Sequence, residues 1–439
     1  MAEGKVITAS KKVTNGWAMY DWANSVYNLV ITTTFFPIYF LAVTGSNDQE
    51  HKVTFLGREF VNSSLYDYIL AVAYLIIAIL YPILTSIADT RGNKKNFMRF
   101  FCYMGAIGCS ALFFFKSDTL LLGVIAFMMA AMGYVGSLVF YNAYLPEIAA
   151  PEDRDRISAK GYAYGYIGSV LMQIVGFVLV MTMSDPGLAT RITFLLVGIW
   201  WFAFAQITFA ALPQSNVVQT KKGNVIQEGF QEMKKVYDQV KHMPILKRFL
   251  RGFFFYSMGV QTVMLAATIF GSKLLGLPDT KLIVTVVLIQ LVAILGAWGM
   301  SRLSAIYGNL KVLMGVIVFW IIICILAYYT AGVAEKGINA EYHFYILALL
   351  VGLVMGGIQS LSRSTYSKLM PDTKDTASFF SYYDLTEKLA IVIGIFTFGR
   401  IEEITGTMKN SVLSLIVFFA IGLVWLYSAL YKQKQTQTA

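Results

Sequence analysis

Asp384, Glu387 and Lys388 stand at i, i+3 and i+4 within an otherwise apolar stretch, a spacing that puts all three on one helical face. A charge near the centre of a bilayer costs at least about 2.5 to 3.5 kcal/mol, so such residues face a partner or a water-filled cavity. Two readings are open: Asp384 and Lys388 neutralise one another and merely lock the helix, or Glu387, left over from that pairing, binds a proton or a cationic group. Asp21, Asn24 and Asn28, spaced 3 and 4 apart, make a second polar stripe. Asp21 lies about one turn inside its apolar run at 1.5 Å per residue, the depth of a gate residue rather than a midplane ligand. The stripe also reads as an interfacial anchor, with Trp17 and Trp22 at headgroup level. Arg363, within Gln359 to Ser364, is the candidate partner for Asp21 in a latch.

Asp89, Arg91, Gly92, Lys94 and Lys95 crowd one short turn, which reads either as a topogenic basic cluster or as a clasp between helix ends. Gln173, Gln261 and Gln290 are lone amides in apolar runs, suited to interhelical hydrogen bonds. Gly161 with Gly165, and Gly352 with Gly356, have the spacing that lets helices approach closely. No phosphate-cradling loop and no HExxH motif occurs, and His51, His242 and His343 are scattered. No catalytic residue, metal or cofactor is expected, and the chain is not read as an enzyme.

The elements that must position these residues follow from composition. Of 439 residues 57% are hydrophobic and 14% charged, against roughly 25% charged in soluble domains. Twelve runs reach the length of about 20 residues that spans a bilayer: Trp17 to Val43, Tyr66 to Ala88, Phe97 to Phe115, Leu120 to Tyr144, Ser158 to Met183, Ile192 to Leu212, Phe249 to Gly271, Leu282 to Ala305, Leu310 to Ala331, Tyr342 to Tyr366, Ala377 to Phe398 and Ser411 to Tyr431. The first, fifth and eleventh are the least apolar. Cys102, Cys109 and Cys324 fall inside these runs and read as buried packing thiols. The first run follows a polar basic segment without a small-residue cleavage site, so no removable signal is expected. With both termini cytoplasmic, 25 of the 35 Lys and Arg residues fall on the cytoplasmic side, as the positive-inside rule requires. The net charge of +10 therefore reflects orientation in a bilayer rather than a nucleic-acid partner.

The longest connection, Pro213 to Lys247, divides the runs six and six. Within it Ile226, Phe230, Met233, Tyr237 and Val240 recur at helical spacing, predicting an amphipathic linker helix along the cytoplasmic interface. The halves echo each other. Gly92 to Met98 and Gly308 to Met314 both read GNxKxxM; Pro146–Glu147 is matched by Pro371–Asp372; Ser158 and Tyr162 are matched by Ser378 and Tyr382. Parallel six-helix repeats around a central site follow from this order.

The turn Asp89 to Lys95 resembles the loop signature of the major facilitator superfamily, with Thr90 where a base is usual and Leu84 or Thr85 where the leading glycine belongs. Gly16 to Asn24, Tyr141 to Glu147 with Arg156 to Gly168, and Gly356 to Pro371 with Phe379 to Tyr383 resemble its vacuole effluxer-like branch more specifically, a likeness running from Gly16 to Gly399. The resemblance implies an all-α integral membrane fold of twelve transmembrane helices in two pseudo-symmetric six-helix bundles. Fungal relatives are associated with amino-acid release from the vacuole. Many relatives carry an Asp two residues after the Tyr of span seven; here Tyr256 is followed by Ser257 and Met258, so coupling must fall elsewhere.

The expected organisation is a bundle over 1–212, a linker with an amphipathic helix over 213–248, and a second bundle with a short tail over 249–439. The expected function is secondary active transport of small polar solutes, amino acids among them, with efflux as a direction and protons as coupling ion. By fold analogy spans one, four, seven and ten line the cavity, which nominates Asn24, Asn28, Tyr141, Asn142, Gln261 and Gln359. Asp384, Glu387 and Lys388 are the coupling candidates, and Asp21, Asp89, Arg91 and Arg363 the gating candidates. The expected setting is a bacterial inner membrane, with the chain monomeric and the lipid bilayer its only large partner. A sensor or scaffold that kept the fold, and a passive channel, are the competing classes.

Overall fold

A computed structural model describes residues 6–45, 52–91, 93–214, 225–271, 277 and 279–438. The first rod joins α1 (Lys11–Val26), a π-helical stretch (Tyr27–Phe35) and α2 (Phe36–Thr44). The wide winding has local causes. Pro37 has no N–H to give, and the carbonyl it would have met in π register, Thr32 O, accepts instead from the Tyr66 hydroxyl at 3.0 Å. Thr33 and Thr34 turn their hydroxyls back on Leu29 O, both at 2.8 Å, competing with the backbone donors.

The remaining helices are α3 (Asn62–Arg91), α4 (Lys94–Ala111), α5 (Leu120–Ala143), the short α6 (Leu145–Ile148), α7 (Arg154–Thr182), α8 (Pro186–Ala211), α9 (Val225–His242), α10 (Pro244–Ile269), α11 (Asp279–Tyr307), α12 (Asn309–Glu335), α13 (Glu341–Leu369), α14 (Thr376–Thr405) and α15 (Met408–Thr438). Setting aside α6 and α9, these make twelve long rods among the described residues, each on one of the expected apolar runs to within a few residues. Ten are long and apolar enough to cross a membrane by length and composition alone. Of the other two, α14 carries Asp384, Glu387 and Lys388, and the side chains of α10 are described only in part. The first and fifth rods pass, although the sequence ranks them beside the eleventh.

One element goes beyond the sequence reading. β1 (Lys52–Phe55) pairs antiparallel with β2 (Arg58–Val61) between the first two rods, and its tight turn puts Leu56 at φ 51° and Gly57 at φ 76°. Two successive residues with positive φ match the twist of a two-residue hairpin.

In the first half α4 packs on α5 and α8, and α1 on α7 and α8. In the second α11 packs on α13, and α15 on α10 and α12. The halves meet where α7 lies against α11 and α13, and where α14 lies against α3 and α5. Gly352 and Gly356 serve the α11–α13 contact within the second half, since a Cβ on either would meet the backbone of Ile289 or Ala293 on α11. All three cysteines are buried and free.

The linker helix α9 exists, and its expected apolar residues divide between an inward and an outward side. Val236 and Val240 are buried, Met233 is half-buried, and Phe230 and Tyr237 face outward; the side chain of Ile226 lies outside the described residues. Gly229 explains the division: a Cβ there would stand 2.6 Å from Ile83 Cα, so the bare backbone, not Phe230, is pressed against α3.

Candidate functional site

Because α13 crosses the seam between the halves, Arg363 can be almost fully buried and still face the first half. Its guanidinium donates to Asp21 Oδ2 from Nη2 at 3.2 Å and Nη1 at 3.3 Å. It also donates to Ser158 Oγ at 3.0 Å, Ser158 O at 2.9 Å and Asn142 Oδ1 at 3.4 Å. Three rings box the cation, Tyr162 at 4.3 Å, Trp17 at 4.8 Å and Tyr141 at 5.4 Å, each contact adding about 0.5 to 2 kcal/mol. Tyr141 donates its hydroxyl to Asp21 Oδ2 at 2.7 Å, and Trp17 stacks on Tyr141 while donating Nε1–H to its carbonyl at 2.9 Å. Gly161 makes room for the cluster: a Cβ there would overlap Asp21 Oδ2 and stand 2.9 Å from Tyr141 Oη and 3.0 Å from Arg363 Nη2. Removing one partner of such a buried pair costs about 3 to 5 kcal/mol, because the other charge is left uncompensated.

A narrow pocket shares Tyr162 with this cluster and is lined among others by Tyr256, Gln261, Gln359, Tyr383 and Glu387. Tyr256 Oη and Ser362 Oγ are 2.7 Å apart at its wall. Gln261 Nε2 donates to Glu387 Oε1 at 3.1 Å, and Lys388 Nζ reaches Glu387 Oε2 at 3.4 Å while lying 5.6 Å from the centroid of the Tyr74 ring on α3. A carboxylate and two amides therefore line a pocket shared with tyrosine and phenylalanine rings, and the Lys388 ammonium, outside the lining, pairs with that carboxylate.

Two further clasps close the seam on the termini-bearing side. In the first, Asp89 at the end of α3 accepts from Ala377 N at 3.2 Å and from Ser378 N and Oγ, each at 2.8 Å. An anion thus sits at the N-terminus of α14, where unpaired backbone N–H groups and the helix dipole favour it. Lys94 pairs with Asp89 at 3.2 Å and with Glu147, and donates to Thr376 Oγ1 at 2.6 Å. In the second, Asp155 in the first turn of α7 accepts from Ser304 Oγ at 2.8 Å, Asn309 Nδ2 at 2.7 Å and Lys368 Nζ at 2.6 Å. Outside these, Lys235 of α9 bridges Glu232 and Asp375, each at 2.8 Å. Burial alone would lower the Lys235 ammonium, but its hydrogen bonds to Asp375 and Glu232 outweigh that and push it up to about 12.

The structure sorts the nominated residues into separate groups. Gln261, Gln359 and Glu387 line the pocket. Tyr141 and Asn142 belong instead to the Arg363 cluster, because the Trp17–Tyr141 stack fills the inner end of the seam. Asn24 is enclosed with both amide atoms unpartnered, and Asn28 is half-buried in the π stretch; neither lines the pocket. Asp21 and Arg363 meet, and Asp89 forms a clasp, while the side chain of Arg91 lies outside the described residues. The expected pairing of Asp384 with Lys388 is not found. Lys388 extends towards Tyr74 and takes Glu387, so Asp384, with Oδ2 unpartnered, is the acid left over. Gln173 and Gln290 bond to each other across the halves at 3.1 Å.

Several participants escape the sequence reading. Gly161 shows as a packing glycine, and Ser158 and Tyr162 only as an internal repeat. Asp155, Asn309 and Lys368 are 213 residues apart at the extremes, and nothing local links them.

Comparison with known proteins bears on the family and the fold. A family model described as "Vacuole effluxer Atg22 like" matches residues 9–439. The MFS-type transporter YxiO of Bacillus subtilis (strain 168) is 30% identical over 427 residues, with 94% of each chain covered. Autophagy-related protein 22-1 of Penicillium rubens is 21% identical, with 94% of this chain and 89% of the relative covered. The E. coli fucose:proton symporter FucP superposes with a TM-score of 0.69 at 12% identity, over 95% of this chain and 97% of the other, a likeness of fold.

Proposed function

Because the chain belongs to the vacuole effluxer Atg22-like family of major facilitator transporters, and so is a multi-pass membrane transporter, we propose that it is a secondary active transporter of small zwitterionic solutes, amino acids foremost. The observation that carries this reading is the pocket lined by Glu387 and Gln261, with Lys388 paired to Glu387 just outside the lining. An α-amino acid presents an ammonium and a carboxylate one carbon apart, and Glu387 at the pocket with Lys388 beside it offers each its opposite while the rings accept the side chain. Binding would exchange the Glu387–Lys388 contact for two contacts with the solute, so the paired charges are never left bare in a water-poor site.

Alternating access is supported by the uneven seam. The Arg363 cluster and both clasps lie towards the termini-bearing side, which the positive-inside count makes cytoplasmic. The described arrangement is then closed to the cytoplasm, and opening it requires Asp21 to leave Arg363. Export to the outer side of a bacterial inner membrane follows if protons return through the same seam, with Asp384 and Glu387 as the acids that can take them up.

Counterflow of labelled amino acids in proteoliposomes tests this. Saturable exchange with zwitterionic amino acids, absent for their amides, supports the reading; no flux with any solute pool leaves a sensor or scaffold, and non-saturating flux without counterflow leaves a channel. Glu387→Gln should abolish flux driven by a pH gradient while sparing counterflow. Unchanged pH-driven flux in that variant, with loss in Asp384→Asn, moves proton uptake to Asp384.

A further inference from the structure

The linker helix α9 presents three different faces. Gly229, Val236 and Val240 pack inward. Gln231, Lys235, Asp238 and Gln239 make a polar face from which Lys235 reaches Asp375. Between these, Phe230, Lys234, Tyr237 and Lys241 follow one another at i, i+4, i+7 and i+11, within roughly 60° on a helix of 3.6 residues per turn. All four are exposed, both rings by 53%, and neither lysine has a hydrogen bond or ion pair among the described residues.

The level of the helix identifies what this stripe meets. A Cβ on Gly229 would touch Ile83 Cα at 2.6 Å and Pro82 O at 3.0 Å. Ile83 lies inside the apolar span of α3, which runs from Tyr68 to Asp89, about 12 Å from the helix end at Arg91 by 1.5 Å per residue. The linker helix is therefore drawn up alongside a membrane rod instead of lying beneath it. On that rod the outward residues Val72, Leu75, Ile79 and Leu80 are exposed and apolar, a lipid-facing band that ends where α9 begins.

We propose that α9 rests in the leaflet on the termini-bearing side and that its Phe230–Lys234–Tyr237–Lys241 stripe binds anionic phospholipid. The rings sit at the boundary of headgroups and acyl chains, and the lysines extend to lipid phosphates, an arrangement that suits amphipathic helices at an anionic surface. This goes beyond the transport reading and holds whatever the cargo is.

The test uses the full chain with a single added cysteine, which the three buried native thiols leave free to be labelled with an environment-sensitive fluorophore. Phe230→Cys and, as a second reporter, Tyr237→Cys are compared with Gln231→Cys in nanodiscs of equal phosphatidylcholine and phosphatidylglycerol, with the bromines carried either by the phosphatidylcholine or by the phosphatidylglycerol. Labels at 230 and 237 should be quenched by lipid, about twofold more where the phosphatidylglycerol carries the bromines, while the label at 231 is quenched by aqueous iodide. Lys234→Glu with Lys241→Glu should abolish the anionic enhancement. Quenching of 230 and 237 by iodide, equal quenching in both discs, or shielding from both quenchers by a protein partner would overturn the proposal. None of these readouts depends on flux, so a failure of the transport reading is told apart.

Discussion

The two clasps occupy matching places in the two halves, yet their charges run in opposite senses. In one, the acid belongs to the turn between α3 and α4, and the N-terminus of α14 supplies backbone donors. In the other, the acid belongs to the N-terminal turn of α7, and Ser304 and Asn309 at the turn between α11 and α12 supply side-chain donors. Burial differs too: the Lys94 and Asp89 side chains are 4% and 1% exposed, Lys368 and Asp155 23% and 5%. The duplicated halves share a shape that brings a turn against a helix end, while the polarity of the contact is free to invert. The drier clasp, built partly from donors that no side-chain change can remove, should hold the seam more firmly than the wetter one.

Asp89→Ala leaves Lys94 short of a partner in a dry site and should cost about 3 to 5 kcal/mol, shifting the closed arrangement towards the open one by more than about a hundredfold. Pulsed electron resonance between labels at Lys12→Cys and Asp372→Cys, one on each half, would show a longer distance dominating. Asp155→Ala should act in the same direction by about 1 to 3 kcal/mol, with both distances populated. An equal or reversed order would break the ranking by burial. Lys235→Ala removes a half-exposed bridge worth at most about 1 kcal/mol and should change the distance distribution least. Raised salt should weaken that bridge while sparing the Asp89 clasp, because screening acts on exposed charges.

The twelve rods were legible because each apolar run carries its own signal, and the GNxKxxM echoes marked the two turns. The meeting of Asp21 with Arg363 was legible because a buried acid and a buried base each need an opposite. What stayed hidden has physical reasons. Lys388 turns from Asp384 to Glu387 because Tyr74 on another helix offers it a ring, and no spacing along α14 encodes that. The apolar spacing of α9 did not say which of its residues face inward, because a glycine beside a membrane rod takes that contact from two aromatic residues. The stripe of Asp21, Asn24 and Asn28 assumed one helical period throughout, yet Asn28 lies past the point where the winding widens.

That change of winding in the first rod has a mechanical consequence. The Leu29 carbonyl, served by two threonine hydroxyls and the Gln173 amide, does not depend on the ladder of its own helix. Its neighbours can trade one acceptor for the next at little cost, so the rod holds a built-in swivel. The end bearing Asp21 can twist relative to the end bearing Pro37 without either end melting, and a one-residue deletion among Thr32 to Thr34 would lock that joint by restoring ordinary winding.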